Sequence, residues 1–261
     1  MAVSTERSAD FVQSLDRGLA VIRAFSVEKP RLTLSDVGRE TGLTRAAARR
    51  FLLTLQELGY VGSDGRQFFL RPRVLELGFA YLSSATVTAV VQDHLERLAD
   101  QLHESCSASV YDSPDIVYVA RAATNRIMTI NLALGARLPA YCTSMGRVLL
   151  ASLDEAELDE FFATTELIPF SDRSNTDPNF IRTEVEKART QGWALQDQDL
   201  EVGVRSVAVP VHGADGHTIA AINVSAHAAR VPLATLTGPF LKALQSTALL
   251  IDKDLMHGSF V

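Results

Sequence analysis

A chain of 261 residues with 47% apolar content has room for two ordinary globular domains. No apolar run approaches the ~20 residues of a membrane span, and the opening MAVSTERSAD is polar rather than signal-like, so the cytoplasm is the expected location. The net charge of −6 argues against a nucleic-acid partner only if it is spread evenly, and residues 1–80 carry twelve Lys/Arg against nine Asp/Glu, a balance of +3 that leaves −9 for the remainder.

Ser14 to Phe25 (SLDRGLAVIRAF) sets Leu15, Leu19, Ile22 and Phe25 at helical spacing, with Ser14 as cap, and predicts a first helix. Glu28-Lys29-Pro30 breaks it. Thr33 to Gly59 then predicts two short helices around a tight turn: Thr33 and Asp36 form a capping signal, Gly42 stops the first helix, and Leu43-Thr44 opens the second. At about 100° per residue the second helix turns Ala48, Phe51, Leu52, Leu55 and Leu58 inward. Thr44, Arg45, Ala46, Arg49 and Arg50 face outward near its start, while Leu53, also outward, does not fit the division.

Tyr60 to Leu70 reads as a hairpin around Asp64-Gly65, with Arg66 beside the tip. Helix, turn, helix and hairpin make a winged helix-turn-helix. In that arrangement Arg45, Arg49 and Arg50 enter a major groove, Arg66 meets the neighbouring backbone or minor groove, and the Thr44 hydroxyl bonds a phosphate of double-stranded DNA.

Residues 71–84 repeat Val74, Leu77, Tyr81 and Leu82 after Pro72 and predict a linking helix that pairs with its copy in a second subunit or packs on its own domain. The expected division is residues 1–71 for the winged helix, 72–85 for the linker and 86–261 for the second domain. There a helix marked by Val87, Val91, Leu95, Leu98 and Leu102 precedes strands at 107–111, 116–120 and 127–132. A loop running into a helix spans 138–150, a further helix 154–163, and Asp177-Pro178 to Gly192 another. Strands at 193–196, 206–211 and 218–225 and a closing helix at 233–255 complete an α+β pattern, an antiparallel sheet covered by helices.

Alternation along the last two strands places Val207, Val209, Ile222 and Val224 on one face, and Ser206, Ala208, Ala221, Asn223 and Ser225 on the other. The small, polar face outlines a floor for a polar small molecule, or else simply faces water. Gln196 to Glu201 is a polar, acidic loop, and Ser144-Met145-Gly146 offers a serine cap at a helix start, which favours carboxylates. Arg121, Arg126 and Arg137 flank the strands as further carboxylate partners or as surface residues.

No G-x-S-x-G elbow, H-E-x-x-H pair or phosphate-binding glycine loop is present, and the six histidines are scattered. Cys106 and Cys142 lack metal-ligand spacing and read as buried, reduced thiols. No catalytic residue, cofactor or metal is expected, and an enzyme acting on a small carboxylic acid is the alternative reading.

The stretches FVQSLDRGLAVIRAF, GLTRAAARRFLLTLQELGYV, PRVLELGFAYLSS, RLPAYCTSMGRVLLA, QGWALQDQDLEVGVRSVAVPV and AAINVSAHAAR resemble IclR-type transcriptional regulators from end to end. RAAARRFLLTL, GFAYLSS and NVSAHAAR resemble the branch that controls aromatic-acid catabolism through the β-ketoadipate pathway. The resemblance implies a winged helix on an operator, a GAF-like C-terminal domain that binds an aromatic or dicarboxylic acid, and a homodimer or tetramer. It carries the effector pocket onto Met128 and Ile130, Ser144 and Met145, Gln196 and Asp197, Val204, Ser206, Asn223 and Ser225. Ser206 stands where many relatives have cysteine, Asn223 and Ser225 where several have two serines, and Gln196 where relatives often carry an acid.

Overall fold

A computed structural model describes residues 8, 10–26, 28–78, 86–124 and 133–257, and the chain divides into two compact units, Met1–Tyr81 and Leu82–Val261. The first holds helices α1 (Gln13–Arg23), α2 (Leu34–Thr41) and α3 (Arg45–Glu57) and the hairpin β1 (Val61–Ser63) and β2 (Phe68–Leu70). Local chemistry sets the boundaries. Thr33 and Asp36 complete a reciprocal capping box on α2, Gly42 ends it at φ 67°, and Thr44 caps α3 by accepting from the Ala47 N–H.

Val21, Val37, Ala48, Leu52, Leu55, Val61 and Phe68 fill the core between these elements. Several expectations shift. The cap of α1 is Val12, without a side-chain bond, so Ser14 falls inside the first turn; Val21 is the fully buried residue of that helix, while Leu15 and Leu19 are exposed. Leu58 is also exposed, because α3 has ended by then. The wing turns one residue later than expected: the Asp64 N–H donates to the Gln67 carbonyl, and Gly65 (φ 94°) and Arg66 form the tip.

Past the wing, Pro72–Val74 is a 3-10 turn leading into helical residues 75–78, where Leu75 and Leu77 are exposed. The rest of the expected linker lies outside the described residues, as does the strand expected at 127–132.

In the second unit α4 (Thr86–Leu102) leads to β3 (Ser105–Asp112), β4 (Asp115–Ala122) and β5 (Arg137–Pro139). Then come α5 (Ser144–Leu150), α6 (Glu155–Thr164), α7 (Pro178–Gln191), β6 (Ala194–Asp197), β7 (Val204–His212), β8 (Thr218–His227) and α8 (Leu241–His257). A π-helical turn at Leu236–Phe240 precedes α8; it holds Pro239, which has no N–H for an ordinary helical bond. The six strands run β5-β4-β3-β8-β7-β6, every pair antiparallel. β5 is an edge strand within the segment read from sequence as a loop.

The two faces of the sheet differ as alternation requires. Val207, Val209, Ile222 and Val224 pack with Val91, Leu95 and Leu98 of α4 and Leu244 and Ile251 of α8. Each such side chain contributes ~1.5–3 kcal/mol on burial. Ala208 and Ala221, from the opposite face, join Met145, Leu149, Phe161, Ile181 and Val185 of α5, α6 and α7. The small face is therefore roofed by helices rather than turned to water. Gly146 in turn lets α5 lie against the 3-10 turn that precedes it: a Cβ there would lie 2.1 Å from the Ala140 carbonyl oxygen.

Candidate functional site

In the first unit the outward side of α3 is basic and open. Thr44, Arg45, Ala46, Arg49 and Arg50 are all exposed, and a groove of about 720 Å³ runs between α3, the start of α2 and the wing, with Arg45, Arg49 and Arg66 on its walls. Ser35 and Gln56 line it too and were not read from the sequence. Leu53, the outward residue that did not fit, is part of the same groove.

Arg45, Arg49, Arg50 and Arg66 make no ion pair among the described residues. Other arginines nearby are occupied: Arg39 holds Asp36 at 2.8 Å, and Arg31 holds Asp64 at 3.0 Å while lying 4.6 Å over the Phe69 ring. Backbone N–H bonds from Gln67 and Arg66 keep the Asp64 carboxyl below the usual range, so it stays ionised at the wing. The Thr44 oxygen accepts from Ala47 at 3.2 Å, which leaves its proton to donate. Unpaired guanidinium groups beside such a groove are free to meet phosphate oxygens and base edges.

In the second unit the ladder sets Gln196, Ser206 and Ser225 side by side across β6, β7 and β8, with Asn223 two residues along β8 beside Ala208. All seven residues of α5 are buried above this floor. The helix begins one residue earlier than expected, with Thr143 rather than Ser144 as cap, since the Thr143 hydroxyl accepts from the Gly146 N–H at 3.0 Å. That shift releases the Ser144 hydroxyl, which reaches Ser206 Oγ at 2.7 Å. Between floor and helix the described residues enclose a cavity of about 30 Å³, enough for a water molecule.

Six of the residues expected at an effector pocket line that cavity: Ser144, Gln196, Val204, Ser206, Asn223 and Ser225. Two expected residues are turned elsewhere. Asp197 is next to Gln196 on β6 and so points to the other face, where it pairs with Arg205 at 2.9 Å. Met145, one helical step from Ser144, is fully buried, and its sulfur accepts from the Ser109 hydroxyl. Met128 and Ile130 lie outside the described residues. Tyr118, Leu138, Cys142, Thr143 and Leu200 also line the cavity and had no signal beyond proximity to the motifs. Burial pushes the Cys142 thiol and the Tyr118 phenol each up to about 12, so both are neutral.

A buried arginine braces the site. Arg147, 4% exposed, donates to the carbonyls of Tyr141 (3.1 Å) and Leu195 (2.9 Å) and to Asp199 Oδ2 (2.5 Å). Burial holds the Asp199 carboxyl above its ordinary range, against the pull of Arg147. The loop so anchored grips Gln196. With its amide assigned from its bonding partners, the Gln196 oxygen accepts from the N–H groups of Asp199 (2.6 Å), Leu200 (3.0 Å) and Gln198 (3.2 Å), and its nitrogen lies 3.5 Å from Ser206 Oγ.

Among the described residues none that lines the cavity is charged, and Arg147 and Arg205 pair with Asp199 and Asp197; Arg121 interacts electrostatically with the lining residue Tyr118, and its Nη1 is buried without a hydrogen-bond partner among the described residues. Arg137, considered as a carboxylate partner, is committed to Asp112 and Asp115. Asn223 donates to Ser225 Oγ at 3.1 Å, and its Oδ1 has no partner among the described residues. The cavity can hold a small uncharged or anionic molecule through neutral hydrogen-bonding groups.

Comparison with known proteins places both units. Residues 14–65 match the IclR helix-turn-helix domain, and residues 79–253 match the C-terminal domain of the bacterial transcriptional regulator IclR. The Pca regulon regulatory protein of Pseudomonas putida is 45% identical over 96% of this chain and 85% of its own. A Rhodococcus sp. RHA1 protein described as a transcriptional regulator superposes with a TM-score of 0.85 at 50% identity, covering 95% of this chain and all of its own. A double mutant of the inducer-binding domain of PobR from Acinetobacter, in complex with 3-hydroxybenzoic acid, superposes at 0.60 with 33% identity, over 63% of this chain and 96% of its own.

Proposed function

Because the chain belongs to the IclR family of bacterial transcriptional regulators in both its domains, we propose that it regulates aromatic-acid catabolism genes in response to a small organic acid. The name of the Pseudomonas putida relative and the hydroxybenzoic acid held by the Acinetobacter domain support that effector class. The gathering of Ser144, Gln196, Ser206, Asn223 and Ser225 around one small cavity in the second unit supports the reading, since these hydrogen-bonding groups converge where a small polar molecule could be held.

On this reading Arg45, Arg49 and Arg50, with Ala46 beside them, read base edges and phosphates in the major groove, Arg66 grips the flanking backbone and Thr44 a phosphate. A homodimer would present two such helices to a two-fold related operator. An acid occupying the cavity must enlarge it beyond its present 30 Å³. If that enlargement favours one arrangement of the domains, acid and operator change each other's affinity by the same factor. Residues 72–85 are the covalent path for that change.

The test is binding of the purified protein to DNA from its own upstream region at fixed salt, with and without benzoates and ring-cleavage dicarboxylates. A ligand-dependent change in affinity is the expected result. Specific binding that no acid alters would overturn the effector assignment and leave the DNA-binding one standing.

A further inference from the structure

We propose that Leu53 selects a thymine in the operator: its side chain meets the C5-methyl group of a T·A pair in the major groove, next to the bases that Arg45 and Arg49 contact. The proposal rests on the reading of α3 as the recognition helix and gives that helix a specificity residue that is neither charged nor hydrogen-bonding.

Leu53 follows Arg45 by eight residues and Arg49 by four, a spacing that stacks side chains on one side of a helix. The row runs for about 12 Å along α3. All three side chains line the same groove, and Gln56 continues it.

Packing within the unit does not explain this leucine. Leu52 and Leu55, its neighbours on α3, are buried, whereas Leu53 is 40% exposed and belongs neither to the core of the unit nor to the half-buried residues packed against it. A lone exposed leucine is ordinary on a protein surface. This one stands in a groove wall whose other α3 residues are two arginines without ion pairs and a glutamine.

Those polar side chains bond phosphates and the nitrogen and oxygen atoms of base edges. A leucine has no bond to offer a phosphate and would only strip water from its charge. The apolar feature of the major groove is the thymine C5-methyl group, and an aliphatic contact with it separates T·A from the other pairs. The apolar end of a row that begins with two guanidinium groups therefore belongs over a thymine, where both surfaces gain by leaving water.

The experiment removes the methyl group and nothing else. DNA from the protein's own upstream region is footprinted, each thymine of one protected half-site is replaced singly by deoxyuridine, and binding of the full-length protein is followed by fluorescence anisotropy at fixed salt. At one position or more the wild-type protein should lose about fourfold in affinity, the worth of one buried methyl group. Leu53→Ala should bind the unmodified operator about fourfold or more weakly, and at that same position its loss on exchange to deoxyuridine should be below about 1.5-fold. If circular dichroism shows that this variant does not fold, Leu53→Gln takes its place. Wild-type protein indifferent to every exchange, or a variant that keeps the full loss at every sensitive position, overturns the role of Leu53 and leaves α3 as the recognition helix. Absence of any preference for the upstream DNA over unrelated DNA overturns the recognition-helix reading and this proposal together.

Discussion

Replacing Arg147 with methionine is the most demanding test of how the cavity is held. The side chain is 4% exposed and bonds two carbonyls and Asp199, whose own side chain is 16% exposed. Breaking one partner of a buried pair while the other charge stays costs about 3–5 kcal/mol. The double variant Arg147→Met/Asp199→Leu removes both charges and leaves mainly two unpaired carbonyls, at about 1 kcal/mol each, so it should be more stable than the single variant. The chain has one tryptophan, Trp193, at the foot of β6, and its fluorescence through a urea titration reports on the second unit.

The pH dependence follows from Asp199. Burial raises its folded value, so the folded chain holds this proton more tightly than the unfolded one. The associated stability is present below the unfolded value and lost as pH rises through the folded one. Without Arg147 the folded value moves further up, so the deficit of Arg147→Met should be smallest in acid and grow toward neutral pH. A loss below about 1 kcal/mol at neutral pH, or a double variant as unstable as the single one, would refute the brace.

Three further outcomes are expected. Arg49→Ala should cost about 1–3 kcal/mol of operator binding and relax specificity, whereas Arg66→Ala should weaken all sequences alike and lower the salt slope by about one; fluorescence anisotropy across a salt series separates them, and identical profiles would defeat the division of roles. Thr33→Ala should lower the stability of the helix-turn-helix by about 0.5–2 kcal/mol, measured by circular dichroism, and an unchanged melt would mean that the capping box is not limiting. Burial pushes the thiols of Cys106 and Cys142 each up to about 12, so a thiol-specific chromogenic reagent at pH 8 should react with them only after denaturation, and rapid labelling of folded protein would contradict their burial.

The helix-turn-helix was legible because its boundaries are local: Thr33, Asp36, Gly42 and Thr44 act on neighbours within four residues. The sheet floor was legible because alternation is a property of the strand itself, and it is also what separates Gln196 from Asp197. What escaped depended on tertiary partners. A three-residue edge strand such as β5 has too few positions to show a period, and the one-residue shift from Ser144 to Thr143 follows from which hydroxyl meets Gly146. Arg147 did leave a signal: an arginine inside an otherwise small and apolar helix start, SMGRVLL, implies a buried partner. The partner, Asp199, is 52 residues further along the chain.

The unequal faces of the sheet keep the lining of the cavity and the packing of α4 and α8 on separate sets of residues. Val207 and Val224 hold the layer of α4 and α8, while Ser206, Asn223 and Ser225, their neighbours along the same strands, face the cavity. A change of side chain at a cavity position therefore leaves the opposite packing in place, and effects on the two faces should be close to independent. On the proposed reading, an exchange of one inducer for another through a few substitutions on β7 and β8 leaves the packing of α4 and α8 on the opposite face in place.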